Sequence, residues 1–250
     1  MAVLRAILLG ASNLKAGFPR VVEALRRGGP VEVLAACGHG RSYGAWSRFL
    51  WVRRLPGILD CGLWRSLEGR PSLATVALVT DVGNDLIYGE PAARIAGWVE
   101  ACLDRLARQG ATTVLTALPL SRIERLTPGQ YRLARAVLFP GRDVPWPALL
   151  DRARALDDRL RRMAAERGAL LVEPQAAWYG IDPIHVRGSR REEAWASLLA
   201  PWGLPAPGLE PGDRCRLPAL GAEEVRLCGI ALRRPQPARR LGDGTTVELY

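Results

Sequence analysis

Apolar positions divide the chain into two regimes. Val3–Leu9 is an apolar run broken only by Arg5, and it stops at Gly10. Val31–Ala36, Leu73–Thr80, Thr112–Leu118 and Ala169–Val172 repeat the same short, Val-, Leu- and Ala-rich pattern. Between these runs the apolar residues recur at three- and four-residue spacing instead. Gly17–Arg27 sets Phe18, Val21, Val22 and Leu25 on one side and ends at Gly28-Gly29-Pro30. Pro91–Gln109 does the same with Ile95, Val99, Leu103 and Leu106, and Ala148–Arg167 reads as another long helix. Solid apolar strands separated by amphipathic helices describe a parallel sheet, because each crossover lays a helix on a sheet face and buries it. The pattern predicts an α/β three-layer sandwich around a five-stranded parallel sheet.

The pattern changes after about Arg187. Arg191–Leu199 reads as one more helix, and Pro201–Pro218 is rich in Pro and Gly. Val225–Leu232 and Thr245–Leu249 read as strands, with Pro235, Pro237 and the turn Gly242-Asp243-Gly244 between them. These features predict a C-terminal β-hairpin. The expected organisation is a main domain over residues 1–200, with an extension over 201–250 packed on it.

Composition narrows the function classes. No apolar run approaches the roughly 18 residues that span a bilayer. The first ten residues lack the long apolar core and small-residue cleavage site of a signal peptide, so they read as a strand of a cytoplasmic protein. Five scattered cysteines, Cys37, Cys61, Cys102, Cys215 and Cys228, form no C-x-x-C pair and read as reduced thiols. The formal net charge is +10, yet Lys15 is the only lysine. The excess is arginine spread along the whole chain without a basic, aromatic-interleaved block, so no nucleic-acid partner is expected.

The chemistry collects where the strands end, which is where ligands gather in open α/β sheets. The first strand runs into Gly10-Ala11-Ser12-Asn13-Leu14 and the second into Cys37-Gly38-His39-Gly40-Arg41-Ser42. The third runs into Asp81-Val82-Gly83-Asn84-Asp85, and the fifth leads to Ile181-Asp182-Pro183-Ile184-His185. A serine hydroxyl needs a base to take its proton, and imidazole suits neutral pH. Only His39 and His185 are available. Asp182 precedes His185 by three positions, a spacing that lets one turn hold carboxylate against imidazole. The backbone N–H of Ser12, a glycine N–H of the second turn and the Asn84 amide can hold an oxyanion.

In these four blocks the sequence resembles the SGNH/GDSL hydrolase family, named for Ser, Gly, Asn and His. Ser12 matches the first block, Gly40 the second with Gly38 as competitor, Asn84 the third and Asp182-x-x-His185 the last. Ala11 stands where the family has Asp, and Val82 where a glycine is common. The resemblance covers roughly residues 3–199. It implies a flavodoxin-like fold and a cofactor-free, metal-free serine hydrolase acting on a small-molecule, lipid or carbohydrate ester or thioester. Ser12, Asp182 and His185 would be its triad, and Ser12, Gly40 and Asn84 its oxyanion donors. The same triad serves an acyltransferase, and a binding protein that keeps the fold without activity is the alternative from another class. His39 and Trp178 are candidate substrate contacts. Oligomeric state is not legible.

Two other motifs compete. Gly40-Arg41-Ser42-Tyr43-Gly44 fits the nucleophile elbow of α/β-hydrolases, but it follows too few strands and leaves Ser12 unexplained. The Gly10–Gly17 segment opens a strand–turn–helix but lacks the middle glycine of a dinucleotide fingerprint.

Overall fold

The structure is a computed structural model that describes residues 4–49, 52–138, 144–180, 182–204 and 221–250. In chain order the elements are β1 (Leu4–Leu9), α1 (Ser12–Arg26), β2 (Val31–Ala36), β3 (Ser47–Phe49), β4 (Arg53–Leu55), α2 (Leu63–Leu67) and β5 (Ala74–Val79). Then come α3 (Asn84–Ile87), α4 (Ala92–Arg108), β6 (Thr112–Thr116), α5 (Leu120–Ile123), α6 (Pro128–Leu138), α7 (Trp146–Arg167) and β7 (Leu170–Val172). The chain closes with α8 (Arg191–Leu199), β8 (Glu224–Leu227), β9 (Ile230–Arg233), β10 (Arg239–Arg240) and β11 (Thr246–Leu249).

The five strands read from the apolar runs are neighbours in the order β2-β1-β5-β6-β7, all parallel. Side chains alternate between the sheet faces. Ile7 and Leu9 of β1 therefore enter a core with Ile95, Val99, Leu156 and Leu160 of α4 and α7. Ala6 and Leu8 enter the other core, with Phe18, Val21 and Leu25 of α1 and Leu198 of α8. Both faces are covered, which is why the strands carry no polar alternation. Arg5, the charge that interrupts the first run, is buried but satisfied: it pairs with Glu32 and donates to the Pro71 carbonyl.

The sheet has seven strands rather than five. Thr246–Leu249 lies parallel to β2, and Arg239–Arg240 pairs antiparallel with it. The expected C-terminal hairpin is present as β10–β11 about the Gly242-Asp243-Gly244 turn, but its first strand is Arg239–Arg240 and not Val225–Leu232. Val225–Leu232 is not one strand but a complete hairpin, β8–β9, turning at Cys228-Gly229 with both residues at positive φ. It joins β3 and β4 in a separate antiparallel sheet of order β3-β4-β8-β9. Partner choice across such separations is set by tertiary fit and leaves no local mark on the sequence.

No helix among the described residues is long and apolar enough to cross a membrane. Pro201–Pro218 and Cys215 fall largely or wholly outside the described residues.

Candidate active site

The first turn after β1 is held by a carboxylate from the far end of β5. Asp81 Oδ2 accepts the N–H of Ala11 at 2.8 Å and of Leu14 at 3.1 Å, and Asp81 Oδ1 accepts Asn13 Nδ2 at 2.9 Å. Asp81 thus caps α1, whose free N–H groups and positive dipole end favour an anion. The cap requires Asp81 to adopt φ 59°, a left-handed conformation that Asp tolerates better than most residues. Gly10 is forced by the same crowding: a Cβ there would lie 2.8 Å from Thr80 Cγ2. Ser12, the first residue of α1, is only 5% exposed.

The Asp182–His185 segment is a closed turn. Asp182 Oδ1 accepts the N–H groups of Ile184 at 2.8 Å and His185 at 3.1 Å, leaving Oδ2 to meet His185 Nδ1 at 2.7 Å. Tyr179 and Val186 bridge the base of this loop, and the Arg187 N–H donates to the Trp178 carbonyl at 2.9 Å. The hydrogen bond that His185 Nδ1–H donates to Asp182 raises the His185 pKa above its ordinary value; burial opposes it, and the charges of Asp182 and Asp81 add to the rise. Burial alone would push the Asp182 carboxyl up, but the His185 contact and the Ile184 N–H outweigh it and hold it low.

Asn13 joins the two segments. Its Nδ2 donates to the Ile184 carbonyl at 2.9 Å, and its Oδ1 accepts the Val186 N–H at 2.9 Å. The neighbour of Ser12 therefore grips the backbone on both sides of His185. No hydrogen bond joins Ser12 Oγ to the imidazole itself among the described residues; the connection runs through Asn13.

The second turn sits against the same site. Gly40 has φ +64°, which explains the glycine, and its carbonyl accepts the Tyr88 hydroxyl at 2.8 Å. Gly38 has a different reason: a Cβ there would lie 2.5 Å from Leu55 Cδ1 of β4. His39 lies between them, and burial lowers its pKa, with Arg53 and then His185 adding positive charge nearby. Asn84 is buried at the start of α3. Its neighbour Asp85 accepts the Tyr43 N–H at 2.9 Å and a hydrogen bond from Ser42, while burial pushes its pKa to about 6. Asp85 thereby ties the turn after Gly40 to the segment carrying Asn84.

Ser42 is fully buried, and its Oγ accepts the N–H groups of Gly44 at 3.2 Å and Ala45 at 2.9 Å. That is a turn-capping role, and it removes Ser42 as an exposed nucleophile. Cys37 is buried, which raises its thiol pKa. Trp178 is buried, with Nε1 3.3 Å from Glu193 Oε1. It faces a cavity of about 110 Å³ that is otherwise lined mainly by apolar side chains, including Leu118, Leu126, Tyr131 and Trp146. Asn13, Asp81 and Asn84 put polar groups at its edge, so the cavity adjoins the segments that carry Ser12 and His185 without including either residue in its wall.

The sequence matches no protein-family model and no curated protein. Solved structures do match. TesA aligns at a TM-score of 0.50 and 15% identity, covering 79% of this chain and 96% of TesA. A member of the lipolytic protein G-D-S-L family from Veillonella parvula aligns at 0.50 and 12%, covering 79% and 97%. The fold is that of the SGNH/GDSL hydrolases. At such identities the likeness concerns the fold. The roles of Asn13, Asp81 and Asp85 in holding these turns together are ones that sequence reading missed. Asp81 and Asp85 flank Val82-Gly83-Asn84, and two carboxylates beside a candidate oxyanion donor were the available signal.

Proposed function

We propose that the chain is a cofactor-independent serine hydrolase that cleaves a carboxylic ester or thioester. The observation that carries this reading is the 2.7 Å Asp182–His185 contact, fastened by Asn13 to the turn that bears Ser12. His185 takes the Ser12 proton as Oγ attacks the carbonyl carbon, and Asp182 orients the ring and stabilises the imidazolium. The negative charge on the tetrahedral oxygen is received by the Ser12 N–H, the Gly40 N–H and the Asn84 amide. His185 then protonates the leaving alcohol or thiol, giving an acyl-serine and a free product. Water attacks the acyl group with His185 again as base, which releases the acid and restores Ser12. His39, exposed in the second turn, is the candidate contact for the leaving group.

The apolar cavity against Asn84 gives the acyl chain its place. Removing an aliphatic chain from water favours binding by about 0.8 kcal/mol per CH2. A panel of p-nitrophenyl esters tests both parts of the reading. Turnover should rise from acetyl to a medium-length chain, and Ser12→Ala should abolish it. Ala134→Trp, at the cavity wall, should shift the optimum to shorter chains while sparing the acetyl ester. Turnover that survives in Ser12→Ala would remove the nucleophile from this account. Transfer to an added alcohol in preference to water would make the chain an acyltransferase instead.

A further inference from the structure

The small sheet carries a surface that ester hydrolysis does not use. Among the described residues the exposed large apolar side chains are Trp46, Val52, Leu133, Leu170, Leu227, Ile230 and Leu232. Five of these seven, all but Leu133 and Leu170, belong to the β3–β4 and β8–β9 hairpins or their borders. Val225 pairs with Leu232 and Leu227 with Ile230, so these four share one face. Val225 is buried, but toward the β9 edge the face runs past the core, and Ile230 reaches 66% exposure. The tips are tied together by the Cys228 N–H donating to the Val52 carbonyl at 2.8 Å.

The opposite face is basic. Arg54 stands directly opposite Arg226, a like-charge cross-strand pair that costs a sheet stability. Arg226 lies over the Trp46 ring at 4.3 Å, and Arg233 pairs with Glu224, the one carboxylate on β4, β8 and β9. Arg54, Arg226 and Arg233 are exposed, and no ion pair among the described residues neutralises any of them. The fold gives no reason for this row.

We propose that the β3-β4-β8-β9 sheet docks the protein on an anionic, phosphate-bearing lipid surface, edge-on, with the tied ends at Val52 and Cys228 leading so that both faces meet the lipid. Guanidinium groups suit phosphate oxygens, an amphipathic Trp suits the headgroup layer, and Leu227, Ile230 and Leu232 suit the acyl boundary. A second copy seated on the basic face would set these arginines against themselves, and one seated on the aliphatic face would leave them without a role. Nucleic acid accounts for the arginines and Trp46 but gives the aliphatic residues nothing to do. The sheet also borders the candidate active site: Arg53 Nη2 lies 3.4 Å from the His39 carbonyl, and Leu55 packs on Gly38. Docking there brings the second turn to the lipid surface.

The test is co-sedimentation of the full chain, carrying Ser12→Ala so that lipid stays intact, with two kinds of vesicle. One is phosphatidylcholine alone and the other contains phosphatidylglycerol. Binding should require phosphatidylglycerol and weaken with salt. Arg54→Gln with Arg226→Gln should weaken it about thirty-fold, and Ile230→Ser with Leu232→Ser about ten-fold. On the Ser12 background both pairs should leave short-ester turnover unchanged, which separates this proposal from the hydrolase reading. No binding, equal binding to both vesicles, or binding indifferent to these substitutions would overturn it. So would retention on single-stranded RNA that exceeds retention on the anionic vesicles, or a lipid-free dimer that the same substitutions dissolve.

Discussion

Asp182→Asn is expected to lower kcat/KM for ester hydrolysis by about ten-thousand-fold while leaving the fold intact. The amide can still accept the Ile184 and His185 N–H groups through its oxygen, so the turn survives. What it loses is the charge that faces Nδ1. The pH profile supplies a second, independent reading. Hydrolysis needs neutral His185, whose pKa is raised above 6.5 by the Asp182 hydrogen bond. Activity should therefore fall as pH drops through a value above 6.5. In Asp182→Asn the imidazole loses its carboxylate partner, and that limb should move to lower pH. Asp85, at about 6, and His39, held below its ordinary value, both titrate on the acid side of this limb, so the two origins can be separated. A limb that stays in place in Asp182→Asn would detach His185 from the reaction.

Asn13→Ala is expected to produce the next largest loss, about a hundred-fold, concentrated in kcat. The substitution deletes three hydrogen bonds, to Asp81, the Ile184 carbonyl and the Val186 N–H. None of these touches the reacting atoms. Their loss frees the histidine loop from the serine turn, so substrate binding should change little while productive alignment suffers. The position of the acid limb should hold, because the Asp182–His185 contact lies within its own loop. Steady-state kinetics across pH check both statements. An equal rise in KM with unchanged kcat would make Asn13 a binding residue instead.

The two substitutions mark where the sequence was legible. Asp182 and His185 were readable because a carboxylate and an imidazole three positions apart can close on each other locally. The five central strands were readable because burial on both faces writes itself as unbroken apolar runs. Asn13 and Asp81 were not. They are 68 positions apart, and Asp81 replaces the local side-chain cap that would have announced the start of α1 at Ser12 rather than near Gly17. The helix reading began late for that reason: its cap comes from β5. The extension was legible in part: its terminal hairpin and turn were readable, its place in the main sheet was not. Thr246–Leu249 was recognisable as a strand, but its parallel partner β2 lies more than 200 positions earlier, and nothing nearby specifies that pairing.

Covalent capture tests the central claim most directly. The intact protein is treated with a fluorophosphonate, and the modified residue is located by peptide mass spectrometry. The phosphonyl group should sit on Ser12, and labelling should slow by about a thousand-fold in His185→Ala. Label on Ser42 or another residue, or Ser12 labelling indifferent to His185, would contradict the account.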